Sequence, residues 1–381
     1  MTLFFGIVIA IILLGLIIFA HESGHFFAAK LFGVKVEEFG FGFPPRLWGK
    51  KIGETIYSIN AVPAGGFVRL LGEDGGESSE RSLSSKGPWT RSAVLVAGVF
   101  MNVLVAFTLF TLTLAFNHFQ FEAPTSIPTS GAPLNLKFPF GSQSESILIV
   151  AVDENSPAEK AGIAPPDEVL SVNGKTPSSV SDLQNIVDQN KGKEMILLVR
   201  DFNSSRTKAV TLVPRVNPPS DQGPLGVGLG SFYVIRYSSI ADKVFVGPLH
   251  AGNMIYEQYV GITSLVNQSI EEHSAAPVSN AAHGPVGIVA FLGKFIGQAG
   301  ASATWTIVMV VGLISLMLGV INLLPIPAAD GGRLIFALIE GVFRVKVNES
   351  IERWVNTVGF MFLILLFILL TFNDIRMLIF G

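Results

Sequence analysis

His21, Glu22 and His25 stand in the order His-Glu-Ser-Gly-His, directly after a charge-free run from Met1 to Ala20. On a helix, residues four apart lie about 40° round the axis and roughly 6 Å along it, so both imidazoles can reach one metal ion. Glu22 falls about 100° round from His21, placed to orient and deprotonate a water that the metal activates rather than to ligate. Zinc accepts imidazole readily, and a catalytic site uses three protein ligands with the fourth position left for water. With six histidines in 381 residues, this spacing arises by chance with odds of roughly one in a few hundred. The competing reading has two histidines capping a transmembrane helix at the headgroups. Against it, ionisable groups at that depth are costly and usually functional.

The elements that must position these residues are membrane helices. The chain is 49% hydrophobic and 14% charged, with a mean hydropathy of +0.53. That is too apolar for a soluble protein of this length. Four charge-free stretches reach the length needed to cross a bilayer: Met1–Ala20, Ser92–Phe116, Ala301–Ala329 and Trp354–Phe372. The first lacks a basic leader and a small-x-small cleavage site, so it reads as a retained helix rather than a signal peptide. Lys30, Lys35, Arg46, Lys50, Lys51, Arg69, Arg81, Lys86 and Arg91 lie between the first two stretches, and Arg333, Arg344, Lys346 and Arg353 between the last two. These basic loops are expected in the cytoplasm, with the long segment from Asn117 to Gly300 and both termini outside. The two histidines then lie toward the cytoplasmic side. No basic cluster points to nucleic acid, and the absence of cysteine excludes disulfides, thiol nucleophiles and thiolate metal sites.

The fold class expected is a polytopic α-helical membrane protein of about four spans with an inserted extracytoplasmic α+β domain. Residues 1–116 form the first part of the membrane domain. Within it, residues 55–72 read as a hairpin turning at Pro63-Ala64-Gly65-Gly66, either dipping back into the membrane beside the metal or lying in the cytoplasm. An edge strand there could pair with an extended peptide, which makes Gly65 and Gly66 candidate substrate contacts. Residues 117–144 read as a linker. Residues 145–216 hold strands at Ile147–Val152 and Met195–Arg200, a helix start at Ser156-Pro157, a tight turn at Asn173-Gly174 and a helix at Ser181–Gln189. Residues 217–300 read as a juxtamembrane segment, with an amphipathic helix in Tyr237–Ile270 on the outer membrane surface and a turn at Gly284-Pro285-Val286-Gly287. Residues 301–381 complete the membrane domain.

Two histidines need a third ligand from a hydrophobic segment facing the first helix. Asp330 fits, at the end of ISLMLGVINLLPIPAADGGRL. An aspartate there is expensive unless it binds a cation or a partner; Pro325 and Pro327 break the helix, and Gly331-Gly332 permit close backbone approach. A helix cap at the interface is the alternative role. His118, His250, His273 and His283 fall outside and are expected at the surface or interface. Asn322, in the same apolar run, is a candidate to hydrogen-bond substrate backbone or a developing oxyanion, or else an interhelical partner.

HESGH on the first helix, NLLPIPAADGG on the third, GPVG before it and one insert between them together resemble the site-2 protease family, in its RseP-type subgroup. The resemblance covers nearly the whole chain. It implies zinc held by His21, His25 and Asp330, and Glu22 as catalytic base. It also implies cleavage of transmembrane substrates within or near the bilayer, usually after another protease has trimmed them. Regulated intramembrane proteolysis of anti-sigma factors or signal-peptide remnants is the expected setting, in a bacterial cytoplasmic membrane. SPAEKAGI and the VNG turn resemble a PDZ domain. Ala329 replaces the leucine usual before the aspartate, and Pro166 stands where PDZ domains more often carry glycine. A metal permease is the rival reading, disfavoured because Glu22 occupies a base position and no further polar residues line the spans. A membrane adaptor with a vestigial site is the other, disfavoured by the intact ligand set.

Overall fold

The computed structural model describes residues 2–73, 79–126, 134, 136–201, 206–220, 222–298 and 304–380. The chain divides into two compact units. One holds the residues up to Thr113 together with those from Val278, and the other holds Leu114–Pro277.

The first unit begins with α1 (Thr2–Leu31). It runs eleven residues past the apolar stretch, so HESGH lies inside the helix and not at its end. Gly33 ends it in the left-handed conformation at φ 68°, with Val34 N–H closing back on the Ala29 carbonyl at 2.8 Å, a Schellman-type stop. Two long strands follow, β1 (Val36–Ile52) and β2 (Thr55–Leu70). They are antiparallel and joined at Gly53-Glu54, where Gly53 has φ 61°. This corrects the hairpin expected within 55–72: Pro63-Ala64-Gly65-Gly66 is not a turn but part of β2. Val36–Phe41 pairs with Gly66–Leu70, Arg46–Ile52 pairs with Thr55–Asn60, and Glu38–Phe41 is flanked on its other side by Ile56–Ile59. The partner strand escaped notice because FGFGFPPRLWGKKI carries Gly, Pro and charge in place of a clean alternation. Then comes α2 (Pro88–Phe116).

Two faces of α1 carry different neighbours. Gly15, Phe19, Glu22 and Phe26, spaced three, four and seven apart, face the sheet. A Cβ at Gly15 would collide with the Pro63 carbonyl oxygen, and Phe39 of β1 stacks on Phe19 at 4.8 Å and on Phe26 at 4.7 Å between ring centroids. The sheet therefore lies along a helix long and apolar enough to cross a membrane. His21, Gly24 and His25 face α2 instead, where a Cβ at Gly24 would meet the Ala97 carbonyl.

The second unit is built on a six-stranded sheet of β3 (Gln120–Pro124), β4 (Ser142–Val152), β5 (Glu168–Val172), β6 (Met195–Arg200), β7 (Thr207–Leu212) and β8 (Val227–Arg236), in the order β3-β8-β4-β5-β6-β7. Helix α3 (Pro157–Lys160) starts from Ser156, whose Oγ accepts from Glu159 N–H, and α4 (Val180–Gln189) starts from Ser179. Asn173 and Gly174, at φ 48° and 77°, make the tight turn that joins β5 to the chain beyond. Ile147, Ile149, Val169, Leu183, Val187, Leu197 and Leu212 form the buried core. The boundaries expected from sequence are too narrow. β3 lies in the segment read as linker and β8 in the segment read as juxtamembrane, because strands that pair over long sequence separations leave no local signal. After α5 (Ile240–Val244) comes α6 (Val246–Glu271). His250, expected at the surface, is fully buried, its Nδ1 3.1 Å from the hydroxyl of buried Tyr237. Asn253 also donates to that hydroxyl at 2.8 Å. The far half of α6 leaves Ile255, Tyr259, Ile262, Val266 and Ile270 exposed.

The chain passes through α7 (Ala276–Ala281) and returns to the first unit with α8 (Pro285–Gln298). Gly284-Pro285 starts this helix, with Pro285 as its first residue, and is not merely a turn before a span. Instead of lying outside a membrane domain, α8 packs on α1 through Gly6 and Gly293, at each of which a Cβ would strike the other helix. The third span is α9 (Thr304–Leu323); residues 301–303 of the expected stretch lie outside the described residues. Then come α10 (Asp330–Phe343) and α11 (Glu349–Phe380). Among the described residues α1, α2, α9 and α11 are long and apolar enough to cross a membrane.

Buried Asp374 near the end of α11 accepts from Gly284 N–H at 2.9 Å and Gly287 N–H at 2.7 Å. It caps the first turn of α8 from another helix, satisfying donors that would otherwise be orphaned in an apolar setting. Asp374→Ala is expected to lower stability by about 3 kcal/mol, with Asp374→Asn intermediate because it keeps one acceptor. Thermal unfolding in detergent measures this, and a parent-like melt for the alanine variant would show that the cap does not hold α8.

Candidate metal centre

One turn of α1 carries both imidazoles, and both are buried. Their Nε2 atoms are 3.1 Å apart. Asp330 Oδ2 lies 2.9 Å from His21 Nε2 and 3.3 Å from His25 Nε2. The three donor atoms thus converge on one point. Tetrahedral zinc with bonds of about 2.0–2.1 Å separates its ligand atoms by about 3.3 Å, so the spacing suits that ion. The space is kept open by a missing side chain: a Cβ at Gly98 of α2 would fall on His25 Nε2 and within 2.8 Å of His21 Cε1. Two neutral imidazoles and one carboxylate, with no thiolate, are the donor set of an open catalytic zinc site.

The other ring nitrogens are held as metal ligands require. His25 Nδ1 is 2.8 Å from the Val94 carbonyl of α2, to which its N–H donates when Nε2 is kept for a metal. His21 Nδ1 faces the side-chain amide of Asn102, 3.3 Å away in α2. Asn102 is fully buried, and its amide oxygen has no hydrogen-bond partner among the described residues. Turning the amide presents that oxygen to His21 Nδ1–H, the arrangement that leaves His21 Nε2 free to ligate. Ser315 of α9 in turn donates to the Asn102 backbone carbonyl at 2.9 Å. Asn102 and Ser315 correct the expectation that no further polar residues line the spans. They were overlooked although an asparagine within an apolar span is itself a signal.

Asp330 comes from a different kind of element. After α9 the backbone from Leu324 to Ala329 is non-helical, and Ala328 takes φ 71°. The cap position of α10 belongs to Ala329, with no side-chain cap bond. Asp330 is the first helical residue and turns its carboxylate to the histidines instead of capping. Cβ atoms at Gly331 and Gly332 would strike the carbonyl oxygens of Leu324 and Ile326, so only glycine lets the loop fold this tightly over the start of α10. Asn356 of α11 accepts from Ala328 N–H at 3.2 Å, fixing the loop from the far side.

Glu22 is on the sheet-facing side of α1, where its Oε2 accepts from Val68 N–H of β2 at 3.1 Å. That N–H points away from β1 and toward Glu22, so this edge of β2 is the one beside the site. Gly65 and Gly66 are placed by packing. A Cβ on Gly65 would meet the Phe43 ring at 2.6 Å, and one on Gly66 would meet the Phe19 Cα at 3.2 Å. Asn322 sits on the last turn of α9, half-buried, and its side chain makes no hydrogen bond among the described residues.

The sequence signature of peptidase family M50 matches residues 9–366. The chain is 33% identical over 372 residues to a protein of Clostridium acetobutylicum named as a zinc metalloprotease, covering 98% of both chains. It is 32% identical over 369 residues to one of Clostridium perfringens with the same name, covering 97% and 98%. Regulator of sigma-W protease RasP of Bacillus subtilis is 24% identical over 456 residues, covering 98% of this chain and 99% of that one.

Zinc analysis of the purified protein with chelator competition tests the centre. Asn102→Ala is expected to weaken zinc binding about 10–100-fold by freeing the His21 ring. Gly98→Ala, which fills the ion's place, and Asp330→Ala, which removes a ligand, are expected to weaken it further. Unchanged zinc affinity in Asp330→Ala would remove it from the ligand set.

Proposed function

The chain belongs to peptidase family M50, the zinc metalloproteases of site-2 type, and from that premise we propose that it cleaves transmembrane proteins within or beside the bilayer, with His21, His25 and Asp330 holding zinc and Glu22 as base. The observation that carries this reading is the convergence of Asp330, from the start of α10, on the two imidazoles of α1, a helix apolar enough to cross a membrane. When bound, zinc supplies Lewis acidity to a water and to the scissile carbonyl. Glu22 takes the proton of the attacking water and passes it to the leaving amine. The Val68 N–H holds one carboxylate oxygen, which orients the other. An extended substrate segment adding to the Glu22-facing edge of β2 would present its peptide groups beside that base. Gly65, Gly66 and Asn322 are then candidate contacts for substrate backbone. A substrate helix must open locally to pair this way, so weak helix formers at the cleavage point favour cutting.

The membrane assignment is a bacterial cytoplasmic membrane, with the basic loops and the zinc centre toward the cytoplasm and the six-stranded unit outside. We read that unit as PDZ-like and as a filter: it excludes substrates with bulky external domains and admits those already trimmed by another protease. The exposed apolar stripe of α6 suits contact with the outer membrane surface.

Two experiments test these readings. Glu22→Gln is expected to keep zinc and lose cleavage of a model transmembrane substrate by several orders of magnitude. Comparable cleavage by the variant would sink the protease mechanism, and zinc uptake into proteoliposomes surviving the change would favour a permease. The second removes the sheet unit. Gln120 and Arg236 are register partners on neighbouring strands, about 5 Å apart, so residues 120–236 can be replaced by a short flexible bridge. Cutting only 145–216 would instead strip strands from the sheet. Exclusion predicts that untrimmed substrates become cleavable, whereas slower cleavage of trimmed ones would show recruitment.

A further inference from the structure

A cavity of about 1000 Å³ opens in the first unit between the end of β2, the start of α2, α10 and the start of α11. It contains none of the zinc-centre residues. Two ion pairs brace its wall: Arg91 of α2 with Glu340 of α10, and Arg333 of α10 with Glu73 after β2. Four further cations line it, Lys86, Arg344, Lys346 and Arg353, and none of these makes an ion pair among the described residues. Against them stands, among the described lining residues, one carboxylate outside the two pairs, Glu352. The described lining residues therefore carry a net formal charge of about +3.

Its charge and its apolar surface are graded along α11. Arg353, Asn356, Thr357 and Phe360 all line it, and their spacing of three, four and seven makes one stripe on the helix. Over about 10 Å of axis the wall passes from guanidinium through amide and hydroxyl to an aromatic ring. Beyond Phe360, α11 is apolar and unburied along its span. Trp89 and Trp354, both exposed, stand at the same ends of α2 and α11, where tryptophan marks the level of the headgroups.

We propose that this cavity binds an anionic phospholipid, its phosphate among Lys86, Arg344, Lys346 and Arg353 and its acyl chains along α11 from Phe360 inward. Basic pockets between membrane helices bind anionic headgroups, and 1000 Å³ is ample for one. An acidic peptide would satisfy the cations and make no use of the apolar continuation. The same wall includes Ala328 and Asn356, which bond to each other two residues before Asp330, so the lipid would brace the loop that presents this carboxylate.

The test uses the full chain purified in neutral detergent and native mass spectrometry. Phosphatidylglycerol is expected to be retained at least tenfold more tightly than phosphatidylcholine with the same acyl chains. Combining Arg344→Gln, Lys346→Gln and Arg353→Gln is expected to cost about fivefold per cation, roughly a hundredfold together. Lys86→Gln, on the opposite wall, is expected to cost about fivefold by itself. Equal retention of the two lipids, or parent-like retention by both variants, would overturn the proposal. Displacement of phosphatidylglycerol by an equal concentration of glycerol phosphate or inorganic phosphate would make this a site for free phosphate. Tighter binding of an oligoglutamate peptide than of phosphatidylglycerol would make it a peptide groove.

Discussion

Three polar side chains must meet within 3.3 Å inside a layer of apolar helices, and the architecture of the first unit follows from that requirement. Imidazoles and carboxylates are expensive away from water unless each polar atom finds a partner. His21 and His25 spend their inward nitrogens on the ligand cluster and their outward ones on Asn102 and Val94. The carboxylate needs a backbone that stops being helical next to apolar helices, and the loop from Leu324 to Ala329 supplies it. Unwound backbone is tolerated there because it serves a polar site and is bonded by Asn356.

Convergence on this scale depends on side chains that are absent. α1 is approached through Gly15 by β2, through Gly24 by α2 and through Gly6 by α8, and in each case a Cβ would strike a backbone carbonyl. Gly98 performs the same service for the two imidazoles, which a Cβ there would strike. In membranes helices gain little from apolar contact alone, and small residues that let backbones touch become the means of association. The sheet is also fixed to α1 by Phe39 between Phe19 and Phe26. That contact brings the Val68 N–H to Glu22 and so ties a strand edge to this carboxylate. A single helix thereby presents two imidazoles on one face and a carboxylate on another, each backed by a different element.

The second unit obeys a different physics. Its core is a conventional apolar cluster under an antiparallel sheet, and its helix starts use side-chain caps at Ser156 and Ser179. Entry and exit strands β3 and β8 pair directly, so the unit closes on itself where it joins the chain. The sheet therefore reaches from 120 to 236, well beyond the segment where the local pattern begins and ends.

What the sequence determined by itself was whatever rests on local chemistry and composition. The run from Met1 to Ala20 and the three other charge-free stretches identify membrane helices because hydropathy is summed over neighbours. HESGH identifies a two-imidazole site because helix geometry fixes the reach of residues four apart. Ser156-Pro157 and Asn173-Gly174 identify a cap and a turn because φ preferences are local. Asp330 could be nominated as a lone acid in an apolar run, but its role was open, since a cap and a ligand look alike in one dimension. Only the tertiary structure turned its carboxylate to the histidines. Tertiary structure alone also paired β1 with β2, joined β3 and β8 to the sheet, buried His250 and set Asn102 behind His21. Most of these depend on residues far apart in sequence, where the deciding term is which backbones can approach closely, and that is a property of the packed chain and not of any segment of it.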